Sequence, residues 1–335
     1  MNSEFKKRHD LVFEILSVLS GEARGQDKKL VFIGGSAVQA ILPKAIRLSI
    51  DLDVHYSGNP KKLVGCLQPE FEVNELFLRN DKQFRFFEAT KKGTRVEIDI
   101  ARYSLLAKGK PYKLTKISSF KTLTAKPEYL LASKLSALAI GTIGRKKEGK
   151  DFQTNFLKDV VDAHQLIGFT KPSRKVRDFF GDIVKIQNRL GKINHSNGNT
   201  TKSIANALID SIKVEDGIIT MSGLRNFKEY LFGASIRKPD YWEMAAIVAA
   251  YTRIVLAEKE GFKAFKKIDA AVQTDYTNRE KANHWQEKLE SKGVDSELLH
   301  ELKILAPKAL GYYYFAEFPK EKQSTKSNRP HNQNR

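Results

Sequence analysis

Cysteine is nearly absent from this chain of 335 residues, Cys66 being the only one. One thiol excludes an intramolecular disulfide and any cysteine-based zinc cluster. Long apolar runs are missing too. The longest, Met244 to Tyr251, falls far short of the ~20 residues that cross a bilayer, and the opening MNSEFKKRHD lacks the apolar centre of a secretory signal. The expectation is a cytoplasmic protein with no membrane partner. Acidic residues are the third shortage: 39 Asp and Glu face 58 Lys and Arg, a net charge of +19. Such an excess favours a polyanion partner, nucleic acid first. The length suffices for one large core or, as expected here, two domains.

What is present centres on Leu30 to Tyr56, LVFIGGSAVQAILPKAIRLSIDLDVHY. An apolar run meets Gly34-Gly35-Ser36, a helical segment follows, and a second run carries Asp51 and Asp53. In a strand, alternate side chains share a face, so the two carboxylates lie roughly 7 Å apart at their Cα atoms. Two acids on one face repel unless a cation lies between them, and hard oxygen ligands suit Mg²⁺, with Mn²⁺ as an alternative. A Gly-Gly-Ser turn that leaves a strand and opens a helix lets the backbone, the helix N-terminal amides and the Ser36 hydroxyl approach a phosphate. Phosphates beside a metal-binding acid pair describe a site for an NTP substrate. The competing reading is a tight turn followed by a strand with two solvated acids. It leaves the acids unexplained, because Ile50, Leu52 and Val54 make the other face of that strand apolar.

Farther along, residues 71–78, 83–90 and 94–103 read as three strands, joined at a turn at Asn80-Asp81 and at a hairpin turn at Lys92-Gly93. The third holds Glu97 and Asp99 on one face. A two-metal site needs a third acid near the acceptor hydroxyl, and Asp99 is the candidate, with Glu97 in reserve; a hairpin with a polar face is the alternative. The helix PEYLLASKLSALAIG has one internal cation, Lys134. Its ammonium either meets an anion such as a triphosphate or reaches solvent along its own stem. Next comes NFLKDVVDAHQL, with Asp159 and Asp162 one turn apart. His55 is read as a polar strand-end residue outside the site.

Gly34-Gly35-Ser36 followed by Asp51-Leu52-Asp53 resembles the signature of the DNA polymerase β-type nucleotidyltransferases. With the Leu-Leu-Ala-x-Lys-Leu-x-Ala-Leu helix and Lys158-Asp159-x-x-Asp162 added, the chain is similar over roughly residues 28–170 to the AbiEii-type nucleotidyltransferase toxins of type IV toxin–antitoxin systems, relatives of the MenT toxins. The resemblance implies an α/β (α+β) nucleotidyltransferase domain with a mixed sheet, followed by a helical domain. It implies Asp51, Asp53 and Asp99 as metal ligands and, with Asp159, as the catalytic set. Gly34, Gly35, Ser36, Lys134, Lys158 and Asp162 are implied as the nucleotide-binding set. Which of Asp159 and Asp162 is the functional acid stays open. Charge and resemblance together point to RNA, the tRNA 3′ end foremost, as acceptor, and the toxin role implies a cognate antitoxin. A protein or small-molecule acceptor, or an inactive nucleic-acid-binding module on the same fold, are the rival readings.

The expected boundaries are 1–120 for the nucleotidyltransferase domain, 121–317 for the helical domain and 318–335 for a disordered basic tail. Residues 108–126 read as a basic connector between the two halves, and 144–150 as a mobile basic loop beside the site. Lys185, Arg189, Lys192, Lys202 and Lys213 read as the wet side of a helical bundle or as a nucleic-acid face. The aromatic run Tyr312 to Phe315 is expected to dock on the core.

Overall fold

The computed structural model describes residues 3–76, 83–149, 151–170, 173–213, 218–232, 235–257, 261–275 and 279–319. Helix α1 (Ser3–Gly25) leads into β1 (Leu30–Ile33), α2 (Gly34–Ile41), β2 (Leu52–Tyr56) and the short α3 (Pro60–Val64). Then come β3 (Glu72–Leu76), β4 (Phe84–Lys91), β5 (Thr94–Arg102), β6 (Tyr112–Ile117) and β7 (Phe120–Ala125). The remainder is helical: α4 (Pro127–Ala137), α5 (Phe152–Phe169), α6 (Arg174–Gly191), α7 (Asn197–Ile212), α8 (Met221–Phe227) and α9 (Lys238–Tyr251), then α10 (Gly261–Asp275), α11 (Arg279–Glu290), α12 (Ser296–Leu305) and α13 (Pro307–Glu317). The class is the expected mixed α/β sheet followed by helices.

The seven strands run in the order β3-β4-β5-β2-β1-β7-β6. β2 lies parallel to β5 and antiparallel to β1, and β1 lies parallel to β7. β2 is therefore interior, covered on both faces, and Leu52, Val54 and Tyr56 are buried on one of them. Each such side chain taken from water contributes about 1.5–3 kcal/mol, which makes the register of the acid strand hard to slip. The β4–β5 hairpin turns at Lys92 and Gly93, both with positive φ, as a primed two-residue turn requires.

Two readings need correction. The basic connector is a β-hairpin, β6 and β7, joined through Ser118-Ser119, so the sheet runs five residues past the expected 120/121 boundary. Lysines on the exposed edge strand β6 hid its alternation, and the turn has no glycine or asparagine to announce it. His55 is no edge residue: it is buried on interior β2, and its Nδ1 lies 2.9 Å from the Arg102 carbonyl oxygen. Burial lowers that imidazole to about 4, so it is neutral at pH 7.

Asn59 caps α3 and Asp295 caps α12, each side chain accepting a backbone N–H of the first turn. Tyr312, Tyr313, Tyr314 and Phe315 are buried in α13, as expected for docking on the core. The tail beyond Pro319 and the turn expected at Asn80-Asp81 lie outside the described residues.

Candidate active site

The Gly-Gly-Ser turn and the acid strand are built against each other. Ile33 ends β1, and Gly34 turns with φ +75 into α2, a conformation that L side chains rarely adopt. A β-carbon at Gly34 would collide with the Asp53 carboxylate, and one at Gly35 with the Arg47 guanidinium and the Ser49 hydroxyl. Both glycines thus make room for side chains of the segment leading into β2. Ser36 is fully buried and its hydroxyl donates to the Asp51 carbonyl oxygen at 2.6 Å. It ties turn to acid strand and does not face an open phosphate site.

Register places Asp53 directly beside Asp99 across the parallel β2–β5 pair. Asp51 immediately precedes β2, on the same side by alternation. Burial, with the neighbouring Asp51 charge, raises the Asp53 carboxyl to about 6. Burial together with Asp53, Asp51 and Glu97 raises Asp99 to about 8. These acids are short of positive charge. Among the described residues no three His, Cys, Asp or Glu side chains converge closely enough to hold one ion as placed. The fit to a divalent cation rests on chemistry: adjacent hard oxygen donors whose mutual repulsion a cation would relieve.

A second cluster lies on α4 and α5. Lys134 Nζ sits 2.9 Å from both Asp159 Oδ1 and Asp162 Oδ2. Arg145 Nε reaches Asp159 Oδ2 at 2.8 Å. Arg47 forks onto Asp162, with Nε to Oδ1 at 2.6 Å and Nη2 to Oδ2, and its Nη1 donates to the Leu48 carbonyl oxygen at 3.0 Å. Burial alone would raise the Asp159 carboxyl, but Lys134 and Arg145 outweigh it and hold it down at about 2. Burial likewise opposes the Lys134 ammonium, and Asp159 and Asp162 more than compensate. Three cations and two acids thus satisfy one another beneath the Gly-Gly turn.

The predicted residues divide accordingly. Asp51, Asp53, Asp99, Gly34 and Gly35 come together around the acid strand. Lys134, Asp159 and Asp162 come together in the ion cluster beside it. Lys158 joins neither cluster: its Nζ lies over the Tyr230 ring, 4.2 Å from the centroid. Burial lowers that ammonium to about 8 despite the favourable charge of Asp51. Arg47 was missed, although a lone arginine between Ile46 and Leu48, four residues before Asp51, was a signal of a buried charge needing a partner. Arg145 belongs to the stretch read as a mobile loop, yet its side chain is bound to Asp159. Tyr230 had no sequence signal; backbone bonds from Leu48 N to its carbonyl oxygen (2.7 Å) and from Phe232 N to Ile46 O (3.0 Å) bring it to the site.

Two cavities flank β2 and β5. One of about 200 Å³ touches Asp53 and Asp99 and is roofed by α4 and α6. The larger, about 750 Å³, is lined by Tyr56, Lys61, Arg85 and Arg102. Tyr56 and Arg102 alternate with the acids along their strands, so the larger cavity opens on the opposite sheet face. The smaller one lies where the chemistry is.

A mixed sheet presenting a D-x-D strand and a third aligned acid beside a Gly-Gly turn defines a nucleotidyltransferase. Residues 17–216, more than half of the chain, match the family described as nucleotidyl transferase AbiEii toxin, type IV TA system, and the chain belongs to that family. No curated protein matches the sequence. Among solved structures, an antigenic nucleotidyltransferase-like protein from Paracoccidioides brasiliensis is similar at 16% identity over 55% of this chain and 91% of that one, with a TM-score of 0.35, too low to bear on the site. Among the described residues no helix is long and apolar enough to cross a membrane.

Proposed function

We propose that the protein transfers a nucleoside monophosphate from an NTP to a hydroxyl of an RNA acceptor, the tRNA 3′ end foremost, and releases pyrophosphate. The observation that carries this reading is the alignment of Asp53 with Asp99 beside Asp51 and Gly34, half-buried acids held close with too little positive charge to offset them. Asp51, Asp53 and Asp99 would hold Mg²⁺ or Mn²⁺. Such an ion, when bound, supplies charge to an NTP triphosphate and acidifies a nearby hydroxyl.

The chain's own groups do the rest. Asp99 takes the proton of the acceptor hydroxyl as its oxygen bonds to the α-phosphorus, while the bond from that phosphorus to the pyrophosphate oxygen breaks. The Gly34-Gly35 turn lets backbone approach the phosphates. Lys134 spends two of its three N–H donors on Asp159 and Asp162, leaving the third for a phosphate oxygen of the leaving group. Asp159 and Asp162 then act as positioning residues that aim Lys134, Arg145 and Arg47. Lys158, half discharged near pH 8, adds a cation on the Asp51 side. As a toxin of its family the enzyme would work in the cytoplasm, restrained by a cognate antitoxin.

The test is incubation with Mg²⁺, total tRNA and each α-labelled NTP in turn, beside the Asp51→Asn/Asp53→Asn variant. Label on RNA with the wild type and at least about a thousandfold less with the variant is the expected outcome. Equal labelling by both would sink the assignment.

A further inference from the structure

The cavity of about 200 Å³ beside the acids has a composition that divides the substrates between two sides of the site. Its floor is one sheet face: Asp53 and His55 from β2, Asp99 and Ala101 from β5. Its roof is two helix faces, with Tyr129, Ser133 and Ser136 at helical spacing on α4 and Ile183, Gln187 and Leu190 on α6. Phe84 stands at the start of β4. No cation lines it: Arg47, Lys134, Arg145 and Lys158 all lie outside the lining, as do Gly34 and Gly35.

Two acids at one end and walls without a cation elsewhere repel a triphosphate. They accept a flat, uncharged, partly polar group. A slot of about 200 Å³ is smaller than the ~300–1,000 Å³ that hold drug-sized ligands, so it takes one ring system and not a whole nucleotide. The half-buried ring of Phe84 offers a stacking surface, worth about 1–3 kcal/mol per base where bases stack on aromatic side chains, while Tyr129 is buried against Phe179. Gln187 supplies an amide that both donates and accepts, the pattern that reads a base edge. Outside the slot, Lys185, Arg189 and Lys192 are exposed along and just beyond the same helix, α6. Helical spacing turns Lys185 and Arg189 to the far face of α6, away from the slot that Ile183, Gln187 and Leu190 line.

We infer that this slot receives the base of the unpaired terminal nucleotide of the RNA acceptor, the ribose hydroxyl turned to Asp99, with Gln187 discriminating the base. The inference rests on the transfer reaction proposed above. It goes further in assigning the acceptor to the cation-free side of the acids and the NTP to the Gly34 side. A duplex end does not enter, because one ring fills the space.

Two measurements test it. With RNA oligonucleotides ending in each of the four nucleosides, Gln187→Ala should raise the acceptor KM about tenfold and flatten the preference among ends, with the NTP KM unchanged. A rise in NTP KM with acceptor KM unchanged would place the NTP base in the slot and overturn the inference, as would no change in either. The second measurement needs no turnover. An oligonucleotide with a 3′-terminal 2-aminopurine should lose fluorescence on binding the wild type, while the slot-filling Ser133→Phe, checked for folding by circular dichroism, should bind it without that quenching. Equal quenching by both overturns the inference. Quenching confined to the wild type supports the slot even where no label transfers, and such a result would count against the proposed reaction alone.

Discussion

Two pairs of acids lie within this site, one buried and one half-buried, and they have opposite electrostatic fates. Asp159 and Asp162 are saturated by Lys134, Arg145 and Arg47, and Asp159 is held near 2. Asp53 and Asp99 face each other and Asp51 with too little compensation, and are raised to about 6 and about 8. The same side chain is scaffold in one place and an unmet demand in the other. A fold retains such a demand where a ligand is to meet it, which is why strained electrostatics is the better guide to the reacting centre.

Breaking the saturated pair should have the largest effect on the fold. Asp162→Ala leaves the Arg47 guanidinium buried without its carboxylate, an expected loss of about 3–5 kcal/mol in urea unfolding. Asp53→Asn should cost little or stabilise; if it destabilised as much as Asp162→Ala, the contrast between the pairs would be wrong.

Asp99→Asn sharpens the contrast through both activity and pH. Removing a proton acceptor should lower kcat by about 10²–10⁴. Because the folded carboxyl is raised above its unfolded value, near 4, the native state holds the proton longer, and wild-type stability falls as pH climbs from about 4 to about 8. The variant should therefore gain stability relative to wild type over that window. Asp159, depressed to about 2, works in the other direction: its contribution is present above about pH 4 and is lost as pH falls toward 2. Stability curves of the two proteins that ran parallel from pH 4 to 8 would remove the case for a frustrated Asp99.

A cation should treat the two pairs differently as well. Mg²⁺ is expected to raise the Tm of the wild type more at pH 8 than at pH 6, where protons compete for Asp53 and Asp99, and to leave Asp51→Asn/Asp53→Asn unmoved. An equal rise in the variant would place the ion elsewhere. The smallest effect belongs to Arg145→Ala. That side chain is 42% exposed, so its pair with Asp159 is worth about 1 kcal/mol or less; a loss as large as for Asp162→Ala would show that the loop holds the cluster together.

Much of this was legible along the chain because it is local. Period-two spacing placed Asp51 and Asp53 on one face and the apolar residues on the other, and helical spacing paired Asp159 with Asp162. Lys134 on an apolar helix left two readings open, an anion or a stem reaching solvent, and the fold supplied two aspartates. What escaped was long-range pairing. β6 and β7 were hidden because an exposed edge strand tolerates lysines, and the buried state of His55 depends on strand order, which no local pattern encodes.

The sequence by itself determined the strand–turn–helix around Gly34, the acid strand, the excess of positive charge and the family, since each follows from short spacings or residue counts. Only the tertiary structure decided the rest. It aligned Asp53 with Asp99 across parallel strands joined by a long excursion, gave the Lys134 ammonium to two aspartates, brought Arg47 under Gly35, and formed a slot without cations between sheet and helices. The physical reason is that charge compensation and cavity shape depend on distances between elements, and those distances exist only once the elements have packed.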